Sequence, residues 1–306
     1  MQHNRIFLAL TCVLAAACLI LSVSLFRAHR SMEYLPDSTV DDMVRILEQS
    51  DIRIDPAIIS TKREKGTVYV CDSADYSKNV AELVGGSPLK ALYTVPEGEI
   101  LILENGARFD FGSDFSFRYY RDGKNAESAQ TFAFGSLTGQ LSEGKRGEVA
   151  EVVREFLERG SLKFEGAAQV EVLTEAEYIW EEEGVCYALC TRSIDGIAIA
   201  DNAVLCALEN GAVTEAYGTW CFFTPGDSYS AQLSDLFNIL FNVKKAIEDD
   251  RDEAKTVTIE DVSLCYSLYF YGEEENFCLI PCWQISTDSM GEYIYNAIDS
   301  TLYTKN

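Results

Sequence analysis

The hydrophobic pattern opens with its longest element. Ile6 to Phe26, IFLALTCVLAAACLILSVSLF, is an apolar run without a charge. A helix of about 20 such residues crosses a hydrocarbon core of ~30 Å. The pattern therefore predicts a signal anchor: a short tail over 1–5, a transmembrane helix over 6–26 and a juxtamembrane linker over 27–36. Ala15-Ala16-Ala17-Cys18 looks like a processing site or a lipoprotein box. Leu19, Ile20, Leu21, Val23, Leu25 and Phe26 carry the apolar run past it, so an uncleaved anchor is preferred over a lipoprotein or a removed signal. Arg5 stands before the run, and Arg27 and Arg30 after it, a count that slightly favours a cytoplasmic domain. A short tail before a span is the common form of a signal anchor, and we place the bulk of the chain outside the cytoplasm on that ground.

Beyond the linker the period changes from element to element. Val40, Met43, Val44 and Leu47 have the spacing of a core-facing helix over 39–49, with Ser38 as its cap. Ile52 to Ile59 reads as extended chain interrupted by Pro56, Thr67 to Cys71 as a strand, and Tyr76 to Leu83 as a short helix closed by Gly85-Gly86. LKALYTV, EILILE, ARFDFG and SFRYYR then read as a meander with a hairpin turn at Asn105-Gly106. A polar seam from Arg121 to Gln130 follows, and an α+β domain is expected over 37–140. The next helix is predicted over 147–159 by Val149, Val152, Val153, Phe156 and Leu157, with strands near 169–180, 185–192, 196–208 and 212–223. A further helix over about 230–248 is expected after Pro225-Gly226-Asp227-Ser228, then strands near 257–270, 277–286 and 292–297.

This second region repeats itself. Glu182-Glu183-Gly184-Val185-Cys186 to Cys190 resembles Glu274-Glu275-Asn276-Phe277-Cys278 to Cys282, and each copy follows a long helix. The C-terminal α+β region over 141–306 is thus read as two similar units, about 141–223 and 224–306, each a helix on an antiparallel sheet. The expected fold class is α+β: an N-terminal transmembrane helix, an α+β domain and two repeated, PepSY-like helix-on-antiparallel-sheet units.

Cysteine and histidine narrow the chemistry. Cys71, Cys186, Cys190, Cys206, Cys221, Cys265, Cys278 and Cys282 lie mostly within apolar strand text, which favours small buried thiols over disulfides. Residues i and i+4 of a strand lie about 13 Å apart, so Cys186–Cys190 and Cys278–Cys282 are not bonded pairs. The two histidines, His3 and His29, flank the apolar run, which removes Ser-His-Asp and Cys-His catalysis and His-ligated metal from the rest of the chain. No spacing points to paired-carboxylate or Ser/Lys chemistry. The chain is read as a non-enzyme without catalytic, cofactor-binding or metal residues and without a cofactor. A formal net charge of −24 excludes nucleic acid as a natural ligand.

The C-terminal text CLIPCWQISTDSMGEYIYNAIDSTLY carries a resemblance. Its strand with Pro281 and Trp283, its turn, and Tyr293-Ile294-Tyr295-Asn296-Ala297 resemble the end of the YycH/YycI family. RILEQSDIRIDPAIIS is similar to that family's amphipathic start, so the likeness covers most of 6–303. The resemblance implies a non-enzymatic, membrane-anchored extracytoplasmic regulator of a two-component system, held in the cell membrane by a single span. Its implied partners are a WalK-type sensor histidine kinase and a paralogous regulator, met through the membrane helix and the soluble domain. Ala9/Ala16 and Ala15/Ser22 offer small residues for helix packing. A second reading, from the likeness to PepSY domains, is an envelope ligand-binding or protease-restraining module, with Tyr119, Tyr120, Trp180, Trp220 and Trp283 as contact candidates if exposed. An envelope hydrolase using paired carboxylates is the third.

Overall fold

The computed structural model describes residues 34–62, 65–71, 76–122, 141–160, 171–222, 227–250, 255–270 and 277–305. In chain order the elements are α1 (Asp37–Glu48), β1 (Ile52–Ile54), β2 (Lys65–Cys71), α2 (Tyr76–Gly85), β3 (Leu89–Val95), β4 (Gly98–Leu103), β5 (Arg108–Gly112) and β6 (Ser116–Tyr120). Then come α3 (Glu143–Arg159), β7 (Val172–Glu182), β8 (Val185–Ile194), β9 (Ile197–Glu209), β10 (Ala212–Thr219) and β11 (Ser228–Gln232). The chain closes with α4 (Leu236–Asp250), β12 (Val257–Phe270), β13 (Phe277–Thr287), β14 (Gly291–Asn296) and β15 (Leu302–Lys305). Two compact units result, one of Met1–Gly66, Ala231–Ser263 and Trp283–Asn306, the other of Thr67–Ser230 and Leu264–Cys282.

In the first unit α1 buries Val40, Met43 and Leu47, three of the four positions its periodicity picks out. α4 buries Leu236, Ile239, Leu240, Val243 and Ile247. β1 lies parallel to the start of β12, Ile52 against Val257 and Ile54 against Ile259, and β14 pairs antiparallel with β15. Ser50 Oγ donates to Glu248 Oε1 at 2.5 Å.

The second unit is built on an antiparallel sheet in the order β7-β8-β9-β10-β6-β5-β4-β3. Among the described residues its two edges are therefore β7 and β3. One face buries Leu101, Leu103, Phe109, Phe117, Ala188, Cys190, Val204 and Cys206 with Val80 and Val84 of α2 and Val153 and Leu157 of α3. Tyr119 of β6 packs on Phe156 of α3, ring centroids 4.9 Å apart.

The expected fold class is corrected on these observations. The described residues are mainly strand, fifteen strands in a mixed sheet against four helices. The α+β domain expected over 37–140 and the helix-on-sheet unit expected over 141–223 do not keep separate sheets: β10 pairs with β6 from Glu215↔Tyr120 to Thr219↔Ser116, joining the 89–120 meander to the 172–219 meander in one sheet. The physical reason is that each meander alone would leave an interior edge with unpaired N–H and C=O groups, and merging satisfies both. The expected transmembrane helix and signal anchor are also not supported: no described helix is long and apolar enough to cross a membrane. The 6–26 run, the small-residue pairs within it and both histidines lie outside the described residues, as does the seam from Gly123 to Gln130. The helix expected from 230 begins at Leu236, because Ser228–Gln232 forms β11.

Candidate functional site

The β3–β4 hairpin, the start of α2 and the β5–β6 turn line a hollow. Its floor is made by register: Thr94 of β3 pairs with Glu99 of β4, and Glu99 with Phe111 of β5, on the face that α2 covers. The β5–β6 turn is tied by Asp114, whose Oδ1 accepts from Ser116 N at 3.1 Å and Ser116 Oγ at 2.5 Å. These Ser116 hydrogen bonds hold the Asp114 carboxyl below its ordinary range, against the opposing effect of partial burial. Phe115, at φ +61, turns its ring inward, edge-on to Tyr76 at 5.6 Å.

The resulting cavity of about 610 Å³ is lined by Tyr76, Lys78, Leu92, Thr94, Phe111 and Phe115 among others. Ser77 Oγ donates to Glu99 Oε2 beside it. A second hollow of about 430 Å³ lies at Glu97, Ile100, Asp110, Arg118 and Tyr217. All but Glu97, which sits in the β3–β4 turn, belong to one cross-strand row on the opposite sheet face, which runs Tyr178, Leu189, Leu205, Tyr217, Arg118, Asp110, Ile100, Tyr93 from edge to edge. Arg108 clasps Asp110 with two hydrogen bonds, 2.7 and 2.9 Å.

β3 borders the first hollow through Leu92, Thr94 and Val95, and its outer side pairs with no strand among the described residues. Leu92 and Tyr93 are 42% and 54% exposed there. Backbone groups on such an edge are a template for another extended chain. This combination, an open edge with an apolar hollow beside it, can hold a peptide. Among the described residues no group of three His, Cys, Asp or Glu is placed to hold a metal ion.

The aromatic contact candidates fall elsewhere. Tyr119, Tyr120, Trp220 and Trp283 are buried. Trp180 is half-buried and stacks on Tyr187 at 5.3 Å. Around Trp220 the polar side chains serve the backbone. The buried Arg192 guanidinium lies 5.8 Å from the Trp220 ring centroid and donates to the Cys221 carbonyl, while Asn202 Oδ1 accepts from Cys221 N at 3.1 Å. Cys186, Cys190, Cys206, Cys221, Cys265, Cys278 and Cys282 are all buried. Leu92 and Tyr93 were visible in the text LKALYTV as a strand carrying a single charge, the one signal that an exposed edge there lacks protection.

No family model matches the chain, and no curated protein is similar to it. Among solved structures, the chain is similar to an uncharacterized protein from Eubacterium rectale ATCC 33656, at 12% identity and a TM-score of 0.45, over 83% of this chain and 90% of that one.

Proposed function

We propose that this protein is a non-enzymatic regulator that works outside the cytoplasm by protein–protein contact with a sensor histidine kinase of a two-component system. The observation that carries the contact reading is the β3 edge, unpaired among the described residues, with the hollow beside it. The kinase as partner rests on the likeness of Pro281, Trp283 and the Tyr293–Ala297 stretch to the YycH/YycI family. A photo-crosslinking amino acid in place of Tyr93, in the full chain expressed in its native host, tests the reading directly. Capture of a sensor histidine kinase is the expected result. Capture of no kinase by this position or by general crosslinking of intact cells overturns it.

One observation favours a second reading, an envelope ligand-binding or protease-restraining module. A hollow of about 610 Å³ falls within the size range of small-ligand sites. Crosslinking to a secreted protease, or saturable binding of peptidoglycan fragments that is lost in Phe111→Ala, would select it.

A further inference from the structure

The two edges of the antiparallel sheet are built differently. β7 presents Glu175, Glu177, Glu181 and Glu182, and its register with β8 breaks between Ala176 and Tyr178. Charges and a bulge are what keep other strands off an edge. β3 has neither guard along its middle: Lys90 is its one charge, and Ala91-Leu92-Tyr93-Thr94-Val95 runs on without proline or carboxylate. Its own register irregularity lies at the strand's start, between Leu89 and Ala91, and leaves the rest regular.

We infer that β3 takes an extended segment of a partner as an added strand, one in which apolar side chains alternate with lysine or arginine. This deepens the contact reading above and rests on it. Alternation follows from the pleat: every second side chain of an added strand projects to the α2 side, toward the hollow lined by Leu92, Phe111 and Phe115. The intervening side chains project to the other face, beside Tyr93 of β3 and toward the hairpin turn whose Glu97 lines the second hollow. Lys78 and Arg118 stand in the two linings as well, and Arg108 already clasps Asp110, so the local charge is mixed. The decisive charge term is the molecule's own, a formal −24, which steers cations toward it. The same charge repels a second copy of this chain, so self-pairing of β3 is the disfavoured occupant.

The test uses the full chain and three synthetic heptapeptides: lysine alternating with valine, glutamate alternating with valine, and lysine alternating with glycine. Hydrogen exchange and fluorescence anisotropy are the readouts. The lysine–valine peptide is expected to slow exchange at residues 89–95 and to bind at least about tenfold more tightly than either of the others. Leu92→Lys, at a position already 42% exposed, is expected to weaken that binding by about tenfold, while Tyr178→Lys on the β7 edge leaves it unchanged. Equal binding of the glutamate peptide, or binding without protection of 89–95, overturns the inference. So does protection of 89–95 that grows with protein concentration in the absence of peptide, which marks a second copy. Kinase capture at Tyr93 combined with failure of the peptide arm would sink the added strand and leave the regulator; the opposite combination would do the reverse.

Discussion

Tyr76 shows how much one hydroxyl can organise. It donates to the carbonyl of Trp220 at 3.1 Å and accepts from the N–H of Phe222 at 2.9 Å. Both backbone groups lie in irregular chain after β10, where no ladder serves them, and Trp220 and Phe222 are almost fully buried. Tyr76→Phe keeps the ring contacts with Phe111 and Phe115 and removes only the oxygen. The expected loss is about 2 kcal/mol, because a buried donor and acceptor are left without that oxygen. Urea unfolding of the two proteins measures it, and an unchanged midpoint would mean that the bridge contributes nothing. In the sequence Tyr76 reads as the first residue of a short helix and no more. A hydroxyl that spans 144 positions leaves no local trace.

At the scale of elements, period-based reading worked where one face meets a core. α1 and the meander of β3 to β6 were legible, because a stripe at helical spacing or an alternation of two reports which side is buried. Periodicity reports faces and is silent about neighbours. It could not say that β10 would pair with β6, nor that β3 and β7 would be edges, and the candidate site depends on both. β11 was missed because Pro225-Gly226-Asp227-Ser228 carries a helix-start signal, although the apolar stripe begins only near Leu233. β15 is too short, four residues, to show a period at all. Gly98 was likewise invisible as a constraint. At φ +150 it opens β4 after the Pro96-Glu97 turn, and a Cβ there would sit 1.8 Å from the Phe111 carbonyl oxygen. Gly98→Ala must move backbone, not a flexible side chain, and is expected to cost about 3 kcal/mol. Faster hydrogen exchange across Leu89–Val95 would locate that loss in the β3–β4 hairpin, whereas exchange raised only in α3 would place it elsewhere.

For the molecule as a whole, the cysteines make its stability depend on alkali. Burial pushes the Cys190 thiol from its ordinary 9.0 up to about 12, with the nearby Glu177 adding to it. It pushes Cys278 to about 11, and it raises Cys206, which lies fully inside the same core as Cys190. Burial likewise carries Tyr295 up to about 12. In each case the folded chain favours the neutral form, while the unfolded chain ionises at the ordinary value. The stabilisation from Cys190 is therefore complete below pH 9.0, the unfolded pKa, and is lost as pH climbs through that value toward 12. A shift of this size corresponds to roughly 4 kcal/mol over that window, as an order of magnitude. The effect adds to growing self-repulsion, since a chain already at −24 becomes more negative as thiols and phenols ionise. The expected result is a urea midpoint that holds to pH 9 and then falls steeply. The paired variant Cys190→Ala/Cys206→Ala separates the two causes. It lowers the midpoint at pH 8 by opening space in the core, yet its decline above pH 9 is shallower than that of the natural chain. A decline of equal slope would assign the alkaline loss to net charge alone, and salt would then restore it. Thiol labelling gives the companion measurement: buried neutral sulfur reacts slowly with iodoacetamide at pH 8 in the folded chain and readily once urea has unfolded it.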